Sequence, residues 1–214
     1  MLKTLVFDID GTLIHLSEDY ILKTVNLTLS KLGLPAAKIS DCKKFWFGHS
    51  RDLFIAHSFN AEPQNFWKAF LEADSERMEN IRLYDDVGVL KELKEQGLKI
   101  GFLTGTKHQA IPHYLKKLEF LGLDFENEIL VSDQLHNFPP KPDPQGLNHC
   151  LKLLKANAAE SAYIGNADED VIVARNAGVL DIIIDRKELQ LSEKPSFKIS
   201  KLEELKSIIN SEKK

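Results

Sequence analysis

The sequence has little cysteine, no long apolar run and no excess of positive charge. Its two cysteines among 214 residues, Cys42 and Cys150, fit free thiols in a reducing cytoplasm better than a disulfide framework. No stretch approaches the roughly 18 uninterrupted apolar residues of a membrane helix, so we expect no membrane association. The first residues lack the charged flank and cleavage site of a signal peptide, so we expect a cytoplasmic protein. With 32 acidic and 28 basic residues, the net charge of −4 predicts no nucleic-acid partner.

Short apolar runs instead alternate with longer segments of helical spacing. The runs are four to six residues long, as expected for buried strands of a parallel sheet, and cover residues 4–8, 99–104, 129–132, 162–165 and 181–185. The helical segments before, between and after the last four runs cover residues 87–96, 109–121, 144–156, 170–177 and 201–210. This alternation predicts an α/β fold, a doubly wound parallel Rossmann-like sheet.

The interval between the first two strands breaks this alternation. From residue 17 to residue 81 the pattern is helical, and six of the twelve Phe and both Trp fall between Phe45 and Phe70. The interval is too long for an ordinary connection, so we interpret it as an inserted helical cap subdomain. The predicted division is a core domain of residues 1–15 and 82–214 and a cap of residues 16–81. The aromatic residues form the core of the cap or, in part, line a substrate cleft.

Two carboxylates, Asp8 and Asp10, follow the first strand and precede Gly11 and Thr12. In a parallel sheet, ligands bind at the carboxyl ends of the strands. Because the side-chain period of an extended chain is two, Asp8 and Asp10 project to the same side. They suggest a cation site or covalent chemistry. The alternative is a turn in which Asp10 caps the backbone of Thr12.

Two further polar segments follow later strands. Thr104, Gly105 and Thr106 end the second strand, where a hydroxyl and backbone N–H groups suit a phosphate, or merely cap the next helix. Lys141 stands between Pro140 and Pro142, which keep the backbone extended and aim the side chain. The alternative for Lys141 is a surface position in a proline-rich loop.

The fourth segment follows the strand that ends at Gly165. Asn166, Asp168 and Asp170 carry the oxygen ligands that Mg²⁺ prefers, at the start of a helix. One of them must cap that helix, and we assign this role to Asp168 and a functional role to Asp170.

Together the four segments resemble the motifs of the haloacid dehalogenase (HAD) superfamily over nearly the whole chain. Asp8-x-Asp10-Gly11-Thr12-Leu13 is similar to the first motif and Thr104 to the second. Lys141 before Pro142 resembles the third, and Gly165-Asn166-x-x-x-Asp170 the fourth. The helical insertion resembles the family's cap of the first type.

The resemblance implies a Mg²⁺-dependent phosphatase that acts on a small phosphorylated metabolite. Asp8 would form an aspartyl-phosphate and Asp10 would act as general acid and base, with Thr104 and Lys141 holding the phosphoryl group. The implied metal ligands are Asp8, Asp10, Asn166 and Asp170, and the implied phosphate- or substrate-binding residues are Gly11, Thr12, Gly105, Thr106, His49 and Arg51. The last two lie in a loop of the cap, where a solvated helix start is the alternative.

The chain departs from the family pattern at Asn166, where an acid is usual. Because the amide is neutral, we expect weaker binding of the metal, so that the enzyme requires more Mg²⁺ than usual. Asp85 and Asp86 replace a usual Pro-Gly, and we interpret them as a helix N-terminus only.

The alternatives within the superfamily are a sugar-phosphate mutase, which Tyr20 disfavours because a cap histidine is typical there, and a pyrophosphatase. Asp10 disfavours the dehalogenase branch. A non-catalytic ligand-binding member is a further alternative, and we expect a monomer or a homodimer.

Overall fold

The computed structural model describes residues 1–47, 51–106, 111–119, 130–132 and 136–211. The chain forms two compact units, which we call the α/β unit (Met1–His15 and Leu83–Lys214) and the helical unit (Leu16–Arg82). Within the described ranges, no helix has the length and apolar character needed to cross a membrane.

The strands in chain order are β1 (Thr4–Phe7), β2 (Ile14–Leu16), β3 (Ile81–Leu83), β4 (Lys99–Thr104), β5 (Leu130–Ser132), β6 (Ser161–Gly165), β7 (Leu180–Ile184) and β8 (Phe197–Ile199). Six of them form a parallel sheet in the order β5-β4-β1-β6-β7-β8, and β2 and β3 form a two-stranded sheet. This confirms the predicted parallel α/β fold. The strands β2, β3 and β8, each of three residues, were not predicted from the sequence.

The order of the strands places the first motif at the centre of the sheet. Phe7 at the end of β1 pairs with Phe102 of β4 on one side and with Ile164 of β6 on the other. After β1 the sheet grows outward through β4 and β5, and the chain then returns to β6 beside β1. The carboxyl ends of β1, β4 and β6 therefore lie side by side at the point where the direction of winding reverses. Ligands of open α/β sheets bind at such a point.

The helices of the helical unit are α1 (Glu18–Lys31), α2 (Ile39–Phe47), α3 (Arg51–Ser58), α4 (Pro63–Ala73) and α5 (Arg77–Asn80). Its core is aromatic: the ring centroid of Phe45 lies 5.2 Å from that of Phe66 and 5.7 Å from that of Phe70. All three rings are buried. For these residues the interpretation as the unit's own core holds.

The described helices of the α/β unit are α6 (Val89–Glu95), α7 (Ile111–Leu118), α8 (Gln145–Leu153), α9 (Asp168–Asn176) and α10 (Leu205–Ser211). On one face of the sheet, Val6 and Leu103 pack in one buried cluster with Leu147 of α8 and Val173 of α9. This packing fixes α8 and α9 against the strands, and so fixes the segments that precede each of these helices.

Candidate active site

Asp8 follows β1 directly and is almost completely buried. The chain turns at once, because the N–H groups of Gly11 and Thr12 donate to carbonyl oxygens within the turn at 2.8 and 3.2 Å. Gly11 has φ of 75°, and a β-carbon there would lie 2.3 Å from Nδ2 of Asn166, so the position requires glycine. The amide groups of Gly11 and Thr12 thus shape the turn, and the role of the two residues in binding phosphate stays a prediction.

Lys141 joins the carboxylates of Asp8 and Asp170. Its Nζ lies 2.9 Å from Oδ1 of Asp8 and 2.7 Å from Oδ1 of Asp170, and it donates to the Tyr163 hydroxyl at 3.3 Å. The side chains of Lys141 and Asp170 are only 5% and 1% exposed. The structure therefore brings Asp8, Lys141 and Asp170 together, and the alternative of a surface position for Lys141 is wrong.

Burial sets the protonation behaviour of this cluster. Burial raises the pKa of Asp8, because its carboxylate loses hydration; Lys141 opposes the rise, and Asp170 and Asp10 add to it. Burial also disfavours the charge of Lys141, but Asp170 and Asp8 nevertheless hold its pKa well above the usual value. Burial raises the pKa of Tyr163 well above the usual value, so this hydroxyl stays protonated. Lys141 alone therefore does not offset the cost of burying the charge of Asp8.

The fourth motif is held by the carboxylate of Asp170. Its Oδ2 accepts from the N–H groups of Asn166 and Ala167 at 2.9 and 3.0 Å, while Oδ1 binds Lys141. A β-carbon at Gly165 would lie 2.3 Å from the Asp170 carboxyl group, so glycine makes this contact possible. Donors of this chain bind both oxygens of Asp170, and the roles of Asn166 and Asp170 as metal ligands stay predictions.

The prediction that Asp168 is the N-cap of the following helix is wrong. The N-cap of α9 is Ala167, and Asp170 bonds back to its N–H. The Asp168 carboxylate instead accepts from the backbone N–H groups of Ser192 and Glu193 at 2.9–3.0 Å. It therefore ties a distant loop to the fourth motif.

Oxygen atoms of Asp8 and Asn166 converge on the Thr12 hydroxyl. Oγ1 of Thr12 lies 3.3 Å from Oδ2 of Asp8 and 3.3 Å from Oδ1 of Asn166. Among the described residues, side chains of His, Cys, Asp and Glu do not form a metal-binding group of three. A metal ion here would depend on the Asp8 carboxylate together with neutral oxygens, from Asn166 and from the backbone of Asp10.

The second motif lies beside Asp10. Thr104 is buried, and its Oγ1 accepts from the N–H of Thr106 at 3.1 Å. The hydroxyl of Thr106 donates to the Tyr114 hydroxyl at 3.3 Å, and Tyr114 donates to Oδ1 of Asp10 at 2.7 Å. Thr106 therefore organises the motif, and its role in binding phosphate stays a prediction. Gly105, between the two threonines, is exposed.

A buried ion pair supports the turn of the first motif. The guanidinium of Arg186 makes two hydrogen bonds of 2.8 Å to Asp86 and donates to the carbonyl oxygen of Thr12 at 2.7 Å. It lies 3.8 Å from the ring centroid of Tyr84, and Asp86 also accepts from the N–H of Leu202 at 2.9 Å. The interpretation of Asp86 as a helix N-terminus only is therefore wrong.

The two substrate-binding residues expected in the cap are His49 and Arg51. His49 falls outside the described residues. Arg51 is the first residue of α3 in the helical unit and is exposed. Its role in substrate selection stays a prediction.

Sequence reasoning missed Tyr163 and Tyr114. A sequence signal existed for Tyr163: it is a tyrosine inside an apolar strand, and a buried phenol needs a hydrogen-bond partner. Tyr114 is harder to detect. Its spacing from Ile111 and Leu118 predicts the buried face of a helix, but nothing local indicates that its hydroxyl reaches Asp10.

Comparison with known proteins agrees with this geometry. Pyrophosphatase PpaX of Listeria monocytogenes serotype 4a is 29% identical over 231 residues, which cover 99% of this chain and 98% of the relative. Among solved structures, a HAD family hydrolase of Deinococcus radiodurans R1 with bound phosphate and sodium superposes with a TM-score of 0.77. It is 15% identical, and the match covers 98% of this chain and 96% of that one.

A predicted phosphoglycolate phosphatase of Haemophilus somnus 129pt superposes with a TM-score of 0.75 at 21% identity, over 97% of each chain. The family model of the haloacid dehalogenase-like hydrolases matches residues 5–184, which contain all four motifs. This chain therefore belongs to the haloacid dehalogenase-like hydrolase family, as the order of its motifs predicts.

Proposed function

We propose that this hydrolase is a Mg²⁺-dependent phosphatase that cleaves a small phosphomonoester through an aspartyl-phosphate on Asp8. The observation that carries the proposal is the contact of buried Asp8 with Lys141, which Asp170 holds in place from its other side. The printed names of the relatives, a pyrophosphatase and a phosphatase, support phosphoester chemistry at this site. The order of the motifs along the sheet supports the same assignment.

In the first step, an oxygen of Asp8 attacks phosphorus, and the bond from phosphorus to the ester oxygen breaks. The electron pair goes to that oxygen, which takes a proton from the Asp10 carboxyl group. Lys141 holds Oδ1 of Asp8 at 2.9 Å and so orients the carboxylate for this attack. Thr104, the last residue of the adjacent strand β4, would bind a phosphoryl oxygen.

In the second step, water attacks the aspartyl-phosphate and releases inorganic phosphate, and Asp8 regains its carboxylate. Asp10, now deprotonated, accepts the proton of that water. One pair of carboxylates therefore serves both halves of the reaction, with Asp8 as nucleophile and then leaving group.

The donor set fits a hard divalent cation. Asp8, the Asp10 carbonyl and the amide oxygen of Asn166 would hold Mg²⁺, since all three groups are oxygen donors and Mg²⁺ keeps several waters. Because Lys141 alone does not offset the burial of the Asp8 charge, a further cation at this carboxylate supports the same assignment. When bound, Mg²⁺ screens the charge of the phosphate from that of Asp8.

Inorganic pyrophosphate is the second candidate substrate, because relatives that align over nearly their whole length are named pyrophosphatases. It carries a phosphoanhydride in place of an ester, and its leaving group is phosphate. That leaving group needs less help from Asp10 than an alkoxide does. The two candidates therefore differ in how strongly turnover depends on Asp10.

A screen of phosphorylated metabolites and pyrophosphate with Mg²⁺ tests the proposal, with Asp8→Asn as the blank. We expect turnover of at least one small phosphomonoester in the wild type and none in the blank. Turnover that survives in Asp8→Asn would remove Asp8 from its role. Repeating the screen with Arg51→Ala tests the expected cap contact: an unchanged preference among anionic substrates would contradict it.

A further inference from the structure

Tyr114 reaches the proposed general acid from the interior of the protein. Its hydroxyl donates to Oδ1 of Asp10 at 2.7 Å, a usual distance for a hydrogen bond between two oxygen atoms. The tyrosine is in α7, which has no residue in the first, third or fourth motif. The four motifs by themselves therefore give no reason for this contact.

The tyrosine is fixed by its place on the helix. Ile111, Tyr114 and Leu118 follow a spacing of three and four residues and form the buried face of α7. The Tyr114 ring has no exposed surface, so its hydroxyl has little freedom to leave Asp10. A rigid ring with a polar tip is suited to hold another side chain in one orientation.

The hydrogen bond has a defined direction. The Thr106 hydroxyl donates a hydrogen bond to the Tyr114 oxygen at 3.3 Å, and the Tyr114 hydroxyl in turn donates a hydrogen bond to Oδ1 of Asp10. The N–H of Thr106 in turn donates to Oγ1 of Thr104. The chain of contacts therefore connects the end of β4 to Asp10, so that the second motif and the general acid are positioned together.

We propose that Tyr114 is a positioning residue that holds the Asp10 carboxyl group so that Oδ2 carries the proton delivered to the leaving oxygen. The inference rests on the proposed function. Because the phenol donates to Oδ1, that oxygen accepts a hydrogen bond and the acidic proton is on Oδ2. When the ester bond from phosphorus to oxygen breaks, this proton moves to the departing oxygen.

The test compares two substrates of similar shape whose leaving groups differ in basicity, phenyl phosphate and 4-nitrophenyl phosphate. Phenolate needs a proton as it leaves, whereas 4-nitrophenolate leaves without one. The measured quantity is kcat/KM, which covers the steps through the first phosphoryl transfer. Tyr114→Phe keeps the ring and removes only the hydroxyl, and Tyr84→Phe is the matched control, because it removes a phenol that donates to the Glu188 carboxylate at 2.8 Å.

For Tyr114→Phe we expect kcat/KM to fall about 10- to 100-fold with phenyl phosphate, a part of what a positioned general acid supplies, and less than about 3-fold with 4-nitrophenyl phosphate. Tyr84→Phe should change the ratio of the two values by less than about 2-fold. Equal losses with both substrates, or no loss with either, would overturn the role of Tyr114.

The melting temperature of each variant, measured in parallel, separates a folding defect from an effect on the reaction. A fold defect lowers the fraction of active enzyme and so lowers both rates by one factor, which counts against the proposal. A wild type that hydrolyses neither ester in an Asp8-dependent way would instead contradict the proposed function, and with it the inference.

Discussion

Two carboxylates of the α/β unit, Asp8 and Asp86, each contact a buried cation, yet their pKa values shift in opposite directions. Burial raises the pKa of Asp8, and the single contact with Lys141 does not offset it. Burial also acts to raise the pKa of Asp86, but the hydrogen bonds from Arg186 and from the N–H of Leu202 lower it below the usual value.

The difference lies in how completely each carboxylate is bound. Asp86 accepts two hydrogen bonds of 2.8 Å from one guanidinium and a third from a backbone N–H, so its oxygens are occupied by this chain. Asp8 has one ammonium contact at 2.9 Å and a longer contact of 3.3 Å with Thr12. The carboxylate that we propose to react, Asp8, therefore accepts fewer and longer hydrogen bonds than Asp86, which supports the fold.

The largest expected effect is the loss of activity in Asp8→Asn. An amide is a poor nucleophile, so we expect phosphatase activity to fall at least about 10⁴-fold. The free energy of unfolding should stay equal or rise, because the substitution removes a buried negative charge whose ionised form the site disfavours. Steady-state assays with 4-nitrophenyl phosphate and urea unfolding provide the two measurements. A marked loss of stability would show that the charge of Asp8 stabilises the fold as that of Asp86 does.

Asp86→Asn, by contrast, should lower the free energy of unfolding. Removing one partner of a buried pair leaves the Arg186 charge uncompensated, so we expect a loss of about 3–5 kcal/mol in the free energy of unfolding. Asp85→Asn is the matched control, because Asp85 is exposed; its change should stay within about 0.5 kcal/mol.

The pH dependence of this loss has a definite sign. Since the folded state lowers the pKa of Asp86, its contribution to stability is present above the ordinary aspartate pKa of about 3.9. It disappears as the pH falls through the lower pKa of the folded state. The gap between wild type and Asp86→Asn in urea unfolding should therefore be full near neutral pH and shrink below about pH 4. A gap in the free energy of unfolding that widens as the pH falls would show that it does not come from the ionised Asp86 carboxylate.

A smaller effect, on the Mg²⁺ dependence of activity, is expected when a further carboxylate is placed near Asp8. The oxygens of Asp8 and Asn166 both lie 3.3 Å from the Thr12 hydroxyl, so Asn166→Asp adds a negative charge close to the Asp8 carboxylate. Stronger attraction for a divalent cation should lower the Mg²⁺ concentration for half-maximal activation about 10-fold. Asn148→Asp, at an exposed position of α8, makes the same charge change as a control. Equal Mg²⁺ dependence in wild type and Asn166→Asp would show that Asn166 is not a ligand.

Much of this arrangement could be predicted from sequence because it is local. An apolar strand followed at once by polar residues marks Asp8, Thr104 and Asn166, and a parallel sheet brings such strand ends together. The capping of α9 was predicted incorrectly, since Asp168 and Asp170 are both suitable and only the fold shows that Asp170 bonds back to Ala167.

Other contacts could not be predicted, because no local pattern joins their partners. Asp86 and Arg186 are 100 residues apart, and Tyr114 is 104 residues from Asp10. Each of these residues also has an ordinary local interpretation, as a helix start, a surface cation or a core aromatic. The short strand β8 is likewise recognisable only through its pairing with β7.

The most direct test of the central claim is to trap the phosphoryl group on Asp8. Enzyme turning over 4-nitrophenyl phosphate with Mg²⁺ is quenched in acid, reduced with borohydride and digested, and the peptide that contains residue 8 is analysed by mass spectrometry. An aspartyl-phosphate is reduced to homoserine, so the account predicts homoserine at position 8 only when substrate was present. Continued turnover with unmodified Asp8, or with the modification at another residue, would contradict it.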